Sequence, residues 1–453
     1  MNNLSEYSKI HLIGVFGASM SGLAKYLVLA GKKVSGSDLN PGPAMQELKA
    51  LGADVYVGSN AQKATFADLV VVSSAVPNTD PEIMAAKARG IEIVSRGQLL
   101  GAITRCFDTV IAVAGTHGKS TTTAMIGKIL QKAGKDAFVH VGVSGYNTNN
   151  GDSSICVVEA CEYRQNFLHL SPSVAVVLNA EPDHPDCFPD KAGVMQAFGN
   201  FAGRIRADGT LIKGMDLDIA VARNTVEIGR DVLATEIVNE EGKFSFVPVI
   251  FGNKLPRVRL RTCGQHNLTN ACFALTAAIL VGVDANIATD ALSEFQGIPR
   301  RMDTVGSLRD ADVIVDYAHH PTAIRAAIGT ARQMTKGALT VIFQPHTYSR
   351  TKALFDEFVS ALTTGGVVII LKEYAARETP DQGKSAYDLY TALKGHGVRV
   401  RYATTTREAT EVAARYAYPG DIILALGAGN LGEEIHNFCT KSRKGGHTTT
   451  KKQ

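Results

Sequence analysis

The chain has 453 residues, 45% hydrophobic and 20% charged, with a net charge of +4, the balance of a globular protein with apolar material for about three domains. Part of the positive excess lies in a polar tail (Lys441, Arg443, Lys444, Lys451 and Lys452), so the body is close to neutral and charge makes no case for a nucleic acid partner. Seven cysteines without a CxxC pair point to reduced thiols and a cytoplasmic setting, and no apolar run reaches the length of a membrane span, which argues against membrane insertion.

Residues 1–105 alternate strand and helix. Strands are expected at Ile10–Val15, Lys33–Ser37, Val55–Val57, Leu69–Ser73 and Ile91–Val94, with a helix through Leu23, Leu27 and Val28 that closes near Gly31, and another at Pro81–Arg89. Such alternation indicates a parallel sheet covered on both faces. Residues 106–297 open with a strand at Thr109–Ala114, followed by strands Ile155–Glu159 and Val174–Asn179 that end in polar residues. The stretch from Asn224 to Leu260 reads as short strands and turns of unassigned order, and Leu268–Val281 as a helix. Residues 298–440 alternate again. The strands are Val313–Asp316, Leu339–Phe343, Val367–Leu371, Val398–Tyr402 and Asp421–Leu426, with helices such as Pro321–Met334 and Lys352–Leu362, a doubly wound α/β pattern. The basic tail, 441–453, lacks apolar periodicity and is expected to be disordered.

The sequence Gly115-Thr116-His117-Gly118-Lys119-Ser120 stands between an apolar strand and a helix. The strict phosphate-loop pattern fails at its first glycine, where Val113 stands. The physics of the loop is otherwise complete: Gly115 and Gly118 let backbone N–H groups turn toward phosphate oxygens. The helix that follows points its positive end at the same anion. Lys119 can bridge the β- and γ-phosphates of ATP and Ser120 can ligate Mg²⁺. Two later strand ends, Glu159 and Asn179-Ala180-Glu181-Pro182-Asp183-His184, lie where α/β sheets bind ligands. Mg²⁺ prefers oxygen ligands and bridges carboxylates to phosphates, so Glu159 is a metal-ligand candidate and His184 a second.

With these elements placed, the chain resembles the Mur ligases, and within them the alanine-adding branch. The resemblance rests on Ile10-His11-Leu12-Ile13-Gly14 through Met20-Ser21-Gly22, Val34-Ser35-Gly36-Ser37-Asp38, the loop Gly115–Ser120, Glu159-Ala-Cys-Glu-Tyr163, and Glu181-Pro-Asp-His184. Further along it rests on Gly264-Gln-His-Asn267 with Asn270, Pro299-Arg300-Arg301, Asp316-Tyr-Ala-His-His-Pro321, and Phe343-Gln-Pro-His-Thr-Tyr-Ser-Arg350. It implies an α/β fold of three domains: a Rossmann-like N-terminal domain for a UDP-sugar, a P-loop ATPase centre, and a Rossmann-like C-terminal domain for the amino acid.

The activity implied is ATP-dependent joining of L-alanine to UDP-N-acetylmuramate through an acyl phosphate, with ATP and Mg²⁺. Carried over, Gly115, Thr116, His117, Gly118, Lys119, Ser120 and Thr121 hold ATP, joined by His266, Asn267 and Asn270, whose amides suit adenine edges. Ser120, Glu159 and His184 hold Mg²⁺. Arg300 or Arg301 steadies the transferring phosphate. His319, His320, His346 and Arg350 serve the amino-acid and acyl-phosphate region, where the planar fork of Arg350 suits the alanine carboxylate. Gly14, Gly17, Ser19, Met20, Ser21 and Asp38 form the UDP-sugar site.

No lysine lies between Lys191 and Lys213, where several relatives place a carbamylated lysine; the alanine-adding branch shares that lack. The chain departs from the family's glycine-rich first loop at Phe16 and Ser19, both commonly glycine, and Asn430 stands where the family often has Asp. Phe16 either crowds the diphosphate or turns into the sheet. The alternatives are a Mur-like ligase acting on another amino acid, peptide or carboxylic acid, and a catalytically silent Mur-like binding protein.

Overall fold

The computed structural model describes residues 4–143, 147, 153–183, 187–188, 190–221, 224–376, 378 and 383–445, with side chains to residue 440. Three sheets follow one another along the chain. The first comprises β1 (Lys9–Ile13), β2 (Lys33–Asp38), β3 (Asp54–Val57), β4 (Leu69–Val72) and β5 (Glu92–Ser95), in the order β3-β2-β1-β4-β5 and parallel throughout. Among its central strands β4 is an apolar run and β1 is apolar apart from Lys9 and His11, as strands covered on both faces tend to be. β1 stops two residues short of the expected Val15, because Gly14 turns the chain with φ +83°.

The second sheet contains β6 (Thr109–Ala114), β7 (Ala137–His140), β8 (Ile155–Glu159), β9 (Val174–Val177) and β10 (Thr210–Gly214), then β11 (Asn224–Ile228), β12 (Val232–Glu240), β13 (Lys243–Ile250), β14 (Asn253–Lys254) and β15 (Val258–Cys263). The order is β14-β13-β12-β11-β10-β9-β6-β8-β7, with β15 on β13. The stretch left unordered by sequence thus extends the central sheet as an antiparallel edge of β12, β13, β14 and β15. The third sheet contains β16 (Asp303–Leu308), β17 (Ala311–Asp316), β18 (Leu339–Phe343), β19 (Val367–Leu371), β20 (Arg399–Ala403) and β21 (Ile422–Leu426), in the order β16-β17-β21-β18-β19-β20. It is parallel except for the β16–β17 hairpin.

Two expected elements differ. The helix read at Lys352–Leu362 is two helices, Tyr348–Ala353 and Phe355–Leu362, parted at Leu354. The break lets Arg350 reach the central unit while Phe358 and Leu362 stay in the core of the third sheet. The last helix runs from Leu431 to Gly445, into the segment expected to be disordered. Leu431, Ile435 and Cys439 bury one stripe at helical spacing. Propagation carries the helix onward, and cations suit its C-terminal end. Residues 446–453 lie outside the described ones. Among the described residues no helix is long and apolar enough to cross a membrane. None of the cysteines is in a disulfide.

The first and second sheets share one hydrophobic core. Tyr26, on the helix Ala18–Leu29, packs its ring 4.8 Å from Phe138 of β7, and Phe107 stacks on Phe138 at 5.6 Å. Aromatic contacts of this kind fix the relative placement of the two layers.

Beneath the end of the first sheet lies Glu82, fully buried. Its carboxylate accepts hydrogen bonds from Ser37 Oγ, from Tyr56 Oη at 2.8 Å and from the Asn60 N–H at 2.7 Å, with His11 Nε2 at 3.6 Å. Burial alone would raise its pKa; the nearby His11 imidazole and the hydrogen bonds from Ser37, Asn60 and Tyr56 outweigh that and hold it at about 2. A carboxyl depressed from its ordinary 4.5 stabilises the fold fully above pH 4.5, and that contribution is lost as pH falls toward 2. Glu82→Ala is expected to cost about 2–4 kcal/mol at pH 7, because it strands buried donors, and to flatten the acid limb of stability between those two pH values. Urea unfolding as a function of pH measures both; a variant as stable as the parent would contradict this account.

Candidate active site

The phosphate loop leaves β6 at Ala114 and enters the helix Lys119–Lys132 at Gly118. Glycine is required at both turns. Gly115 has φ +144° and Gly118 φ +85°, and a Cβ on Gly118 would lie 2.6 Å from Asn270 Oδ1. β6 pairs with β8 on one side and β9 on the other, with Val113 opposite Glu159. That register sets the loop between the polar ends of both neighbours. Asn179, at the exit of β9, accepts the His117 N–H at 2.8 Å and donates to the His117 carbonyl at 3.1 Å. Thr116 Oγ1 donates to the Glu181 carbonyl at 3.0 Å and accepts the Glu181 N–H at 2.9 Å.

At the start of the helix, Ser120 Oγ donates to Glu159 Oε2 at 2.8 Å, and the Gly142 N–H meets the same oxygen at 2.9 Å. Lys119 Nζ donates to Glu162 Oε1 at 3.0 Å, to the Thr116 carbonyl at 3.1 Å and to the Gly115 carbonyl. Burial opposes the lysine's charge, but Glu162, Cys161 and Glu159 outweigh it and raise its pKa. Lys119 and Glu159, expected together from sequence, are therefore joined by Glu162, Asn179 and Glu181, to which sequence reasoning gave no role. Their signal was position within four residues of a strand end beside the loop, together, for Glu162 and Glu181, with membership of the motifs quoted above.

The third unit closes over this centre. A cavity of about 360 Å³ is lined by His117, Thr121, His266, Asn267, Asn270 and Arg301. Asn267 Nδ2 donates to the Cys263 carbonyl at 2.8 Å, and Asn270 Nδ2 to Asn267 Oδ1 at 3.1 Å. The two amides form a chain that ends at Gly118, on the phosphate loop itself. Burial lowers the His266 pKa. The two neighbouring arginines part company. Arg300 Nη2 is bound to the Gly427 and Gly429 carbonyls at 3.1 and 2.8 Å, while Arg301 faces the cavity. Tyr317 lies under both guanidinium groups.

Arg350 takes protein partners. Its Nε is in a buried ion pair with Asp183 Oδ1 at 3.0 Å, and its Nη1 contacts His346. The guanidinium thus ties the third unit to the loop after β9, which leaves less of its fork for an alanine carboxylate. His319 Nδ1 lies 2.8 Å from the Tyr317 carbonyl, and its ring 6.0 Å from that of His346. Burial, then the Arg350 charge, hold His346 down at about 4 and His319 well below its ordinary value, so both rings are neutral. His184 lies outside the described residues.

Ser120 and Glu159 offer hard oxygens 2.8 Å apart at a strand end, a donor set that fits Mg²⁺. His117, Glu181 and His320 also bring ligand atoms within 4.8 Å of one another. Both nitrogens of His320 are already engaged, by the Thr322 N–H and the Pro182 carbonyl, so this group is a contact between units. Glu181 is held at about 2 by His117, against burial.

In the first unit, Gly14, Gly17 and Asp38 line a cavity of about 210 Å³. Phe16 turns into the core, where it packs against Gly42, and its N–H donates to Asp38 Oδ2 at 3.0 Å. Met20 is buried in that core. Ser21 lines a separate cavity beside Asn147, and Ser19 reaches across to β7.

Residues 9–108 match the Mur ligase family catalytic domain, 113–278 the Mur ligase middle domain, and 300–429 the Mur ligase glutamate ligase domain. A UDP-N-acetylmuramate–L-alanine ligase of Clostridium botulinum is 37% identical, covering 93% of this chain and 95% of its own. One of Renibacterium salmoninarum is 39% identical, covering 95% of each. The crystal structure of the UDP-N-acetylmuramate–alanine ligase of Thermotoga maritima matches with a TM-score of 0.81 at 24% identity, covering 96% of this chain and 99% of that one. The chain belongs to the Mur ligase family.

Proposed function

We propose that the protein is an ATP-dependent ligase that joins L-alanine to the carboxylate of UDP-N-acetylmuramate, in the cytoplasm, as a step of peptidoglycan precursor synthesis. The observation that carries the substrate assignment is full-length similarity, at 37–39% identity, to ligases named for that reaction. The chemistry is supported by the loop Gly115–Ser120, set between Glu159 and Asn179. We assign the three sheets to three domains, with boundaries near residues 105 and 297: a UDP-sugar domain, an ATPase domain and an amino-acid domain.

A carboxylate is a poor electrophile, so phosphoryl transfer from ATP must precede attack by the amine. Backbone N–H groups of the loop and the positive end of the helix Lys119–Lys132 cradle the phosphates. Lys119 exchanges the Glu162 carboxylate for phosphate oxygens and offsets the charge that develops on the γ-phosphoryl group. Arg301, which lines the same cavity as His117 and Gly118, is assigned the same task from the third domain. Mg²⁺, held by Ser120 and Glu159 with His184 as a further ligand, would supply charge neutralisation at the phosphates. The acyl phosphate forms with ADP as leaving group. The uncharged amine of L-alanine then attacks the acyl carbon, phosphate departs, and the amine proton is lost. We assign His319 and His346, buried and neutral, to the amino-acid and acyl-phosphate region as candidates to receive that proton.

Lys119→Ala is expected to lower phosphate release about a thousandfold and, because it removes the cationic partner of the buried Glu162 carboxylate, to lower thermal stability as well; wild-type turnover in that variant would exclude the phosphate-loop assignment. Glu159→Gln should raise the Mg²⁺ concentration for half-maximal activity severalfold, read from a Mg²⁺ titration at fixed ATP, and an unchanged titration would remove Glu159 from the metal site. Phosphate release should require UDP-N-acetylmuramate, L-alanine and Mg²⁺ together. Release with another amino acid or a peptide, but not with L-alanine, would reject the substrate reading while leaving the ligase chemistry standing.

A further inference from the structure

Two rows of side chains face each other where the first domain meets the second. Ser19 and Tyr26 are seven residues apart and share one face of the helix Ala18–Leu29. Phe138 and His140 are two residues apart and share one face of β7. Tyr26 therefore meets Phe138, and Ser19 Oγ meets His140 Nε2 at 2.8 Å. Gly22 lies between the two pairs. A Cβ there would sit 2.5 Å from Asn147 Nδ2 and 3.3 Å from His140 Nδ1, so glycine is what lets the helix approach.

Arg96 enters this corner from a third direction. It opens the helix Arg96–Thr104. Gly97 and Gly101 seat that helix against Asn166 and His169, in the segment that follows Glu162. Arg96 is half-buried, and its Nη1 donates to Ser19 Oγ at 3.1 Å. Its charge acts on His140 on one side and on Cys161, beside Glu162, on the other. Among the described residues no carboxylate pairs with it. Among the described residues the remaining N–H groups of this fork have no hydrogen-bond acceptor, so part of its charge is open to a ligand. Close by, His140 is 1% exposed and its Nδ1 has no hydrogen-bond partner. Burial and the Arg96 charge push its pKa down to about 3, so the ring is neutral and does not compete for an anion.

We propose that Arg96, steadied by Ser19 and flanked by His140, binds an anionic group of the acid substrate between the sugar-nucleotide loop and Lys119. This rests on the ligase reading above and extends it. The substrate offers two such groups, the diphosphate and the carboxylate to be phosphorylated, and both must pass between the Gly14–Gly17 loop and the phosphate loop. A guanidinium suits either, because its fork can hold two oxygens at once. Ser19 is a positioning residue: its hydroxyl accepts from Arg96 and ties it to β7, which a glycine at this place would not do.

Steady-state kinetics on the full-length protein decide the matter. Arg96→Gln should raise the KM for UDP-N-acetylmuramate tenfold or more, by roughly the strength of a charge-assisted pair, with the KM for ATP unchanged. Arg96→Lys should recover part of the loss. Ser19→Gly should raise the same KM a few-fold and leave kcat in place. UDP and UDP-N-acetylglucosamine, as competing ligands, separate the two sources. If Arg96→Gln weakens both as much as the substrate, the diphosphate is the bound group; if neither is weakened, it is the carboxylate. An unchanged KM for the acid, or equal losses for acid and ATP, overturns the proposal. If the wild type releases no phosphate with UDP-N-acetylmuramate, the functional reading falls separately. Calorimetric binding of that compound to wild type and Arg96→Gln then settles Arg96, and no binding to the wild type overturns both.

Discussion

Parallel pairing of β6 between β8 and β9 is the constraint on which the active site depends. Because the strands run the same way, their C-terminal ends emerge together, and every loop leaving them opens on one edge of the sheet. Val113 lies opposite Glu159, and Ala114 opposite Val177. The loop Gly115–Ser120 has nowhere to pass except between a carboxylate and the Asn179–Glu181 segment. A register slip of one residue would turn Glu159 to the other face of the sheet and separate it from Ser120. The glycines of the loop serve this packing as much as they serve a phosphate: Gly115 abuts Leu178, and Gly118 abuts Asn270.

The charges at that edge are arranged against one another. Lys119 is nearly buried but keeps its proton, because Glu162 and two backbone carbonyls bind it. Leaving either charge alone there would be costly. The proposed function draws on the same arrangement, since a triphosphate would offer the lysine oxygens of the same kind. The neutral histidines of the third domain lie under the opposite regime. Burial and the nearby Arg350 discharge His319 and His346, while Arg350 itself stays in a buried pair with Asp183. One ion pair thus joins the third domain to the loop after β9, and its arginine adds to the burial that discharges both rings.

Much was legible in the sequence because it is local. The alternation of apolar strands and amphipathic helices places β1, β2, β6, β8, β18 and β19 within a residue or two, as hydrophobic periodicity and glycine punctuation require. The phosphate loop and the polar strand ends carry their chemistry in residue type and spacing, and the ordered motifs identify the family. The strands β11 to β15 were not ordered, because the partners of an edge, here antiparallel from β12 onward, are set by tertiary contact rather than by a local period. The split at Leu354 escaped notice for the same reason: its cause is the reach of Arg350 to a residue far away in the chain.

What the sequence by itself determined, then, was most strands of the three sheets and the family, and it supplied the residue types from which a phosphate and metal site is proposed, since each follows from residue type, period and spacing. Only the tertiary structure decided which of two adjacent arginines faces the cavity, that Arg350 pairs with Asp183, that Phe16 enters the core, and that Ser19, Arg96 and His140 meet. These are outcomes of packing between elements distant in sequence. Which partner a long side chain takes depends on which face of a helix or strand its neighbours leave open, and no local pattern carries that information.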